Sequence, residues 1–139
     1  MEFKYFISRI ETSQFAMFND KFNSQENVNL STSHTFVPSN DCNSIKCVTT
    51  IQFSQNDSII LILELNCYFV LDDNSSNEIR ESMKIPVDFL RYMGTISVGA
   101  ARGVIHAKTE GAALNGIVLP PINLVEAIKE DMVLTKREN

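Results

Sequence analysis

The sequence predicts an α+β fold in which a four-stranded antiparallel sheet is followed by a long helix and a short C-terminal helix. Three observations carry this. The first half of the chain alternates apolar and polar side chains with the two-residue period of strands. Beyond Asp72-Asp73-Asn74-Ser75-Ser76 the period becomes helical. Strands come first and helices afterwards, which excludes an alternating α/β order.

Residues 3–18 form an irregular first strand in which Tyr5, Ile7 and Arg9 alternate against Phe6, Ser8 and Ile10, with a bend expected near Ser13-Gln14. In the second strand Val28, Leu30, Thr32, His34 and Phe36 alternate with Asn29, Ser31, Ser33 and Thr35, until Pro38 and Asn40-Asp41 break the pattern. The third has the clearest alternation, with Ile45, Cys47, Thr49, Ile51 and Phe53 on one face and Lys46, Val48, Thr50 and Gln52 on the other. Gln55-Asn56-Asp57-Ser58 is turn chemistry and joins it in a hairpin to a fourth strand at residues 59–71. There Leu61, Leu63, Leu65, Cys67 and Phe69 make a wholly apolar face while Ile62, Glu64, Asn66 and Tyr68 make a mixed one, as in a central strand.

After a loop at residues 72–76, Phe89, Tyr92, Met93, Ile96, Ala100, Val104 and Ala107 share one broad helical face that opens just past Pro86. The long helix is expected over residues 86–114, ended by Asn115-Gly116. An extended stretch at 117–121 leads to a short helix that begins near Asn123 and carries Leu124, Ala127, Ile128 and Met132.

Composition narrows the function classes. The chain has 139 residues, 44% hydrophobic and 21% charged, which suits one domain with a proper core. Its net charge of −5, from 12 basic and 17 acidic residues, offers no reservoir of cations for phosphates, so nucleic acid is not an expected partner. The longest apolar run, residues 59–71, is about half a membrane span and contains Glu64 and Asn66. MEFKYFISRI lacks the order of a secretory leader, and a soluble cytoplasmic protein is expected. Cys42, Cys47 and Cys67 fit neither a disulfide framework nor a metal knuckle and read as reduced, mostly buried thiols.

An enzyme is the weaker reading. His34 has no acidic neighbour in sequence, His106 sits between Ile105 and Ala107, and no nucleophile, phosphate, dinucleotide or metalloprotease motif is present. Asp72-Asp73 and Glu78 with Glu81 resemble a solvated loop and helix approach more than an acid and base pair. No cofactor or metal is expected.

Two features stand out. Small residues recur at every fourth place in the long helix, at Thr95, Gly99, Gly103, Ala107 and Gly111. Interior glycines cost about 1 kcal/mol each relative to alanine, so close backbone approach is the expected compensation. The helix either lies tightly on its own sheet or packs on another helix across a subunit boundary. With the apolar strand face that includes Leu61, Leu63 and Leu65, its apolar surface exceeds what one subunit is expected to cover, which predicts an oligomer. The second feature is residues 116–124, where Pro120 and Pro121 hold an extended segment that presents Ile117, Val118, Leu119, Ile122 and Leu124. It either caps the core or walls an apolar groove.

The chain resembles the SecB family of tetrameric bacterial export chaperones. The likeness rests on Arg9-Ile10 in the first strand, on Ile62 and Glu64 in the fourth, and above all on Ala101-Arg102 followed at the family's spacing by Leu119-Pro120-Pro121-Ile122-Asn123-Leu124. The resemblance implies a dimer of dimers with the long helices packed between two sheets through Thr95, Gly99, Gly103 and Ala107, and with Leu63 and Leu65 also assigned to contacts between subunits. It implies unfolded polypeptide clients in apolar grooves formed by Ile117, Leu119, Ile122, Leu124 and Ile128, with Phe22 and Phe36 beside them. Docking of the SecA translocation motor would fall at Ile62 and Glu64. The pattern departs from the classical family at Gln14 and Phe18, where further carboxylates would stand, and at Lys136-Arg137-Glu138-Asn139, where the family carries an acidic tail. Those departures weaken the expectation of SecA coupling and leave two roles for the holdase, export of secretory precursors or the holding of a dedicated client such as an antitoxin. The rival reading is a small-molecule-binding or enzymatic domain that uses the same groove, marked by convergent polar groups. A purely structural oligomer is a third.

Overall fold

The computed structural model describes residues 2–135. Four antiparallel strands, β1 (Tyr5–Met17), β2 (Asn29–Pro38), β3 (Ser44–Gln55) and β4 (Ser58–Leu71), pair in the order β1-β4-β3-β2. β2, β3 and β4 form a meander, and the long connection after β1 sets that strand beside β4, a Greek-key arrangement. The β3–β4 hairpin closes through Asn56 and Asp57, both in the left-handed region with φ of 49° and 63°, a conformation that twists with the strands. Gln55, buried at the end of β3, holds the β1–β2 connection. Its side-chain oxygen accepts from Asn23 N at 3.0 Å and its amide donates to Asn23 O at 2.7 Å.

The pairing of β1 with β4 slips twice, between Ile7 and Arg9 and between Thr12 and Gln14. The second slip is the bend expected near Ser13-Gln14. Each extra residue is a serine whose hydroxyl donates to a β4 carbonyl: Ser8 to Tyr68 O at 3.4 Å and Ser13 to Glu64 O at 3.2 Å. Such bulges add twist to an edge strand and interrupt its free ladder.

Helix α1 (Asp73–Ser82) follows directly. The sequence reading places a loop and a solvated approach here, because Ile79 is the only large apolar residue the helix buries and its period is invisible. Its signal is the cap: Asp72 accepts from Ser75 N at 2.8 Å, and Met83 closes the far end in the left-handed region. A two-residue strand, β5 (Lys84–Ile85), leads into α2 (Val87–Lys108).

α2 ends at Lys108 rather than Leu114. The Thr109 hydroxyl donates to Ile105 O at 2.7 Å, Asn115 Nδ2 donates to His106 O at 3.0 Å, and Gly111 turns the chain at φ 80°. A 3-10 turn at Ala113–Gly116 and a four-residue helix, α3 (Leu124–Ala127), follow. Asn123 caps α3 by accepting from Val125 N and Glu126 N. Met132, expected in this helix, instead lies in β6 (Met132–Val133), which pairs with β5.

α2 lies over β3 and β4. Its buried arc of Phe89, Leu90, Met93, Val98, Ala101 and Ile105 covers the apolar faces of both strands. Leu63 and Leu65 are therefore fully buried within one subunit, at 0% exposure each, which corrects their assignment to a contact between subunits. Their own helix supplies the cover. Among the described residues no helix is long and apolar enough to cross a membrane.

Candidate functional site

The arginines of α2 organise the surface after the helix. Arg102 donates to Leu119 O at 2.7 Å and to Pro120 O at 3.0 Å, while Arg91 donates to Ile128 O at 2.9 Å and to Val125 O at 3.3 Å. Two successive prolines cannot donate to a neighbouring strand, so this segment is held by its carbonyls instead. The pairing of Ala101 with Arg102 acquires a physical role here: the small residue is buried against the sheet, and the guanidinium beside it ties residues 119–120 to the helix.

This tether presses the segment into the core. Leu119 is 1% exposed, Leu124 8% and Ile128 9%, so three of the residues assigned to a client groove are covered by their own chain. The reason is Gly94. A Cβ built there would meet Leu124 Cδ1 at 3.2 Å and Ile128 Cδ1 at 3.4 Å, so it is this glycine, absent from the small-residue stripe, that admits close approach. Ile117 and Ile122 are half-buried at the edge of the core, as are Phe22 beyond β1 and Phe36 on β2. Val118 and Val125 are the apolar residues this segment leaves open to solvent.

The stripe of Thr95, Gly99, Gly103 and Ala107 is exposed along its length, and apart from the adjoining backbone of the helix itself no described atom lies within 4 Å of a Cβ built at Gly99 or Gly103. The helix therefore does not lie on its own sheet through these glycines, which corrects one of the two sequence readings. What they form is the floor of a shallow groove of about 390 Å³ walled by Ile117, Val118 and Leu119, with Arg102, His106 and Asn115 at its side. The two sequence features thus meet at one place.

Because α2 sits on β3 and β4, the share of that sheet face belonging to β1 is left open. Ile7 and Ile10 stand opposite buried Phe69 and Cys67 and yet are 40% and 50% exposed. Tyr92, on the outward side of α2, is 65% exposed. β1 and α2 run along one another, since Tyr5 contacts Phe89 at 5.1 Å near their starts and Lys108 lies over Phe15 at 5.3 Å near their ends. The open apolar residues of the strand and the uncharged stripe of the helix consequently belong to one side of the molecule.

On the opposite face of the sheet Ile62 and Glu64 are half-exposed, and Glu64 accepts from Ser13 Oγ at 2.7 Å while pairing across the strands with Gln14. Nearby Glu11 accepts from Asn66 Nδ2 at 3.1 Å and from Arg9, contacts that hold its carboxyl below the usual range. Lys46 also lies on this face, which therefore carries both signs of charge. The expected lack of an acidic tail concerns residues 136–139, outside the described residues.

His34 is half-buried on β2. Its Nδ1 meets Thr49 Oγ1 at 3.1 Å, its Nε2 is buried with no partner among the described residues, and burial lowers its pKa. The folded state then binds fewer protons than the unfolded chain below about pH 6.5, so this contribution to stability is complete above that value and is lost as pH falls through the folded pKa. Thermal midpoints compared at about pH 7.5 and about pH 5.5 are expected to fall for the native chain and to fall less for His34→Gln. His106 is exposed and lies 3.6 Å from Glu110. All three thiols are buried, which pushes them up, Cys47 facing Cys67 across β3 and β4.

A second recess, of about 600 Å³, lies at the N-terminal end of α2 between the start of β1 and α1. Its lining comes from Glu2, Phe3 and Tyr5 at the start of the chain, Glu78 of α1, and Pro86 with the first turns of α2, three stretches whose proximity no local pattern signals. No protein-family model matches the chain, and no curated protein shows significant similarity to it.

Proposed function

We propose that the protein is a SecB-like holdase: a chaperone that assembles as a dimer of dimers in the cytoplasm and keeps unfolded polypeptides from aggregating, with no catalysis of its own. The observation that carries this reading is the open apolar side formed by Ile7 and Ile10 of β1 with Tyr92, Gly99 and Gly103 of α2, exposed residues without charge of a kind that marks interaction sites. The Greek-key sheet, the long helix and the clamp of Arg102 on Leu119-Pro120 agree with the resemblance. On this reading the outward stripe of α2 and the open part of β1 join subunits. Clients place apolar side chains against Ile117 and Val118 at the margin of that contact, each gaining about 25 cal/mol per Å² buried without selection of sequence.

Coupling to SecA is the weaker part. The outer face offers Ile62 and Glu64, but Glu64 is engaged by Ser13, and Arg9 and Lys46 dilute its charge, so a dedicated client such as an antitoxin suits this surface better. The small-molecule reading is favoured by one observation, the carboxylates around the recess at the start of α2.

The test is suppression of aggregation of a chemically unfolded protein by the native chain and by Val118→Asp. Val118 is 66% exposed, so a carboxylate there changes stability by no more than about 0.5 kcal/mol. It is expected to cut client holding severalfold. Full holding by Val118→Asp, or none by the native chain, would remove the groove from consideration.

A further inference from the structure

We propose that the recess at the N-terminal end of α2 is a binding site for a small organic ammonium cation. Its floor is aromatic. Phe3 stacks on Phe89 at 4.8 Å with rings 5° from parallel, Tyr5 tilts against Phe89 at 5.1 Å, and Tyr92 stands beside them, largely exposed on α2. Its rim is acidic, from Glu2, Glu78 and Asp88, and no lysine, arginine or histidine lines it. Asp88 is spoken for: it lies in the first turn of α2, where it offsets the helix dipole, and is 3.6 Å from Arg91. Glu2 and Glu78 make no ion pair or hydrogen bond among the described residues, so the recess is lined by two uncommitted carboxylates together with its aromatic rings.

That combination selects by charge. An anion is repelled by the rim, and a neutral apolar body satisfies the floor alone. A protonated or quaternary amine meets the carboxylates with its charge and the accessible parts of Phe3, Tyr5 and Tyr92 with its alkyl groups, and those negative ring faces attract the cation further, while Phe89, 3% exposed, backs Phe3 and Tyr5 from within. The volume, about 600 Å³, lies in the range of small-molecule sites. The recess includes neither Val118 nor the glycine floor of the groove, so Val118→Asp leaves it intact; it shares Tyr92 with the open side of β1 and α2, and the oligomeric state is therefore read in the same titration.

The probes are choline and its uncharged carbon isostere dimethylbutanol, titrated into the full chain and followed by calorimetry and by the resonances of Tyr92. Choline is expected to bind one per subunit, more weakly as salt rises, and at least about fivefold more tightly than the isostere. Glu2→Gln with Glu78→Gln, and separately Tyr92→Ala, are each expected to weaken choline binding about fivefold or more at an unchanged thermal midpoint, because all three side chains are exposed. Equal affinity for the two probes overturns the assignment, as does choline binding that ignores both variants. Binding seen only after dilution to smaller species would mean that a second copy of the chain fills the recess, and overturns it as well.

Discussion

Truncating Leu119 and Leu124 to alanine is expected to unfold the protein at temperatures where the native chain is folded. Each side chain is almost wholly enclosed, Leu119 beneath the Arg102 tether and Leu124 against Gly94. Large-to-small changes in a closed core cost about 2 to 5 kcal/mol apiece, and the pair together approaches the whole stability of a small domain, about 5 to 15 kcal/mol. Ile122, half-buried, adds less when included. Circular dichroism melts of the double variant and of Ile122→Ala alone separate the contributions. A double variant that melts with the native chain while losing client holding would return Leu119 and Leu124 to the groove wall and contradict their burial. The consequence for the proposed function is that Leu119 and Leu124 are covered by their own chain, and that Ile117, half-buried, and Val118, exposed, are the apolar residues of residues 117–119 that the proposed groove retains.

The difference has a physical origin. Alternation reveals which side chains share a face and is silent on what covers that face. The sheet was legible for this reason, down to the bend at Ser13-Gln14 and the Asn56-Asp57 turn, because period and turn chemistry are local. The start of α2 at Pro86 was legible too. Its end was not, since Ala112, Ala113 and Leu114 continue an apolar helical pattern while the stop is made by a threonine hydroxyl and a distant asparagine amide. α1 was lost because one isoleucine sets no period. Leu63 and Leu65 were assigned to another subunit because nothing in their own strand announces that α2 crosses over β3 and β4 and leaves β1 open instead. The aromatic recess required three separated stretches to be brought together, which only the fold does.

Replacing Gly103 with leucine is expected to shift the assembly to smaller species, and Gly99→Ala with Gly103→Ala shows why the result is diagnostic. In a single chain a Cβ at either position meets open space. Alanine in place of an interior helical glycine then stabilises by about 1 kcal/mol, so the double alanine variant should gain about 2 kcal/mol if solvent alone covers this face. If a second α2 packs there, the added methyl groups hold the two backbones apart, and the gain in the isolated chain is offset by weakened association. Leucine exaggerates the conflict, because its side chain occupies the place of the facing backbone. Light scattering at micromolar concentration, read with thermal midpoints before and after dilution, distinguishes the two effects. The native chain is expected to scatter as a tetramer, the double alanine variant to dissociate at higher concentration, and Gly103→Leu to dissociate furthest while its isolated subunit stays folded. An unchanged tetramer in the leucine variant would place Gly103 outside the subunit contact and leave Ile7, Ile10 and Tyr92 to make it. A native chain that scatters as a monomer would refute the assembly, since the open side of β1 and α2 would then face water.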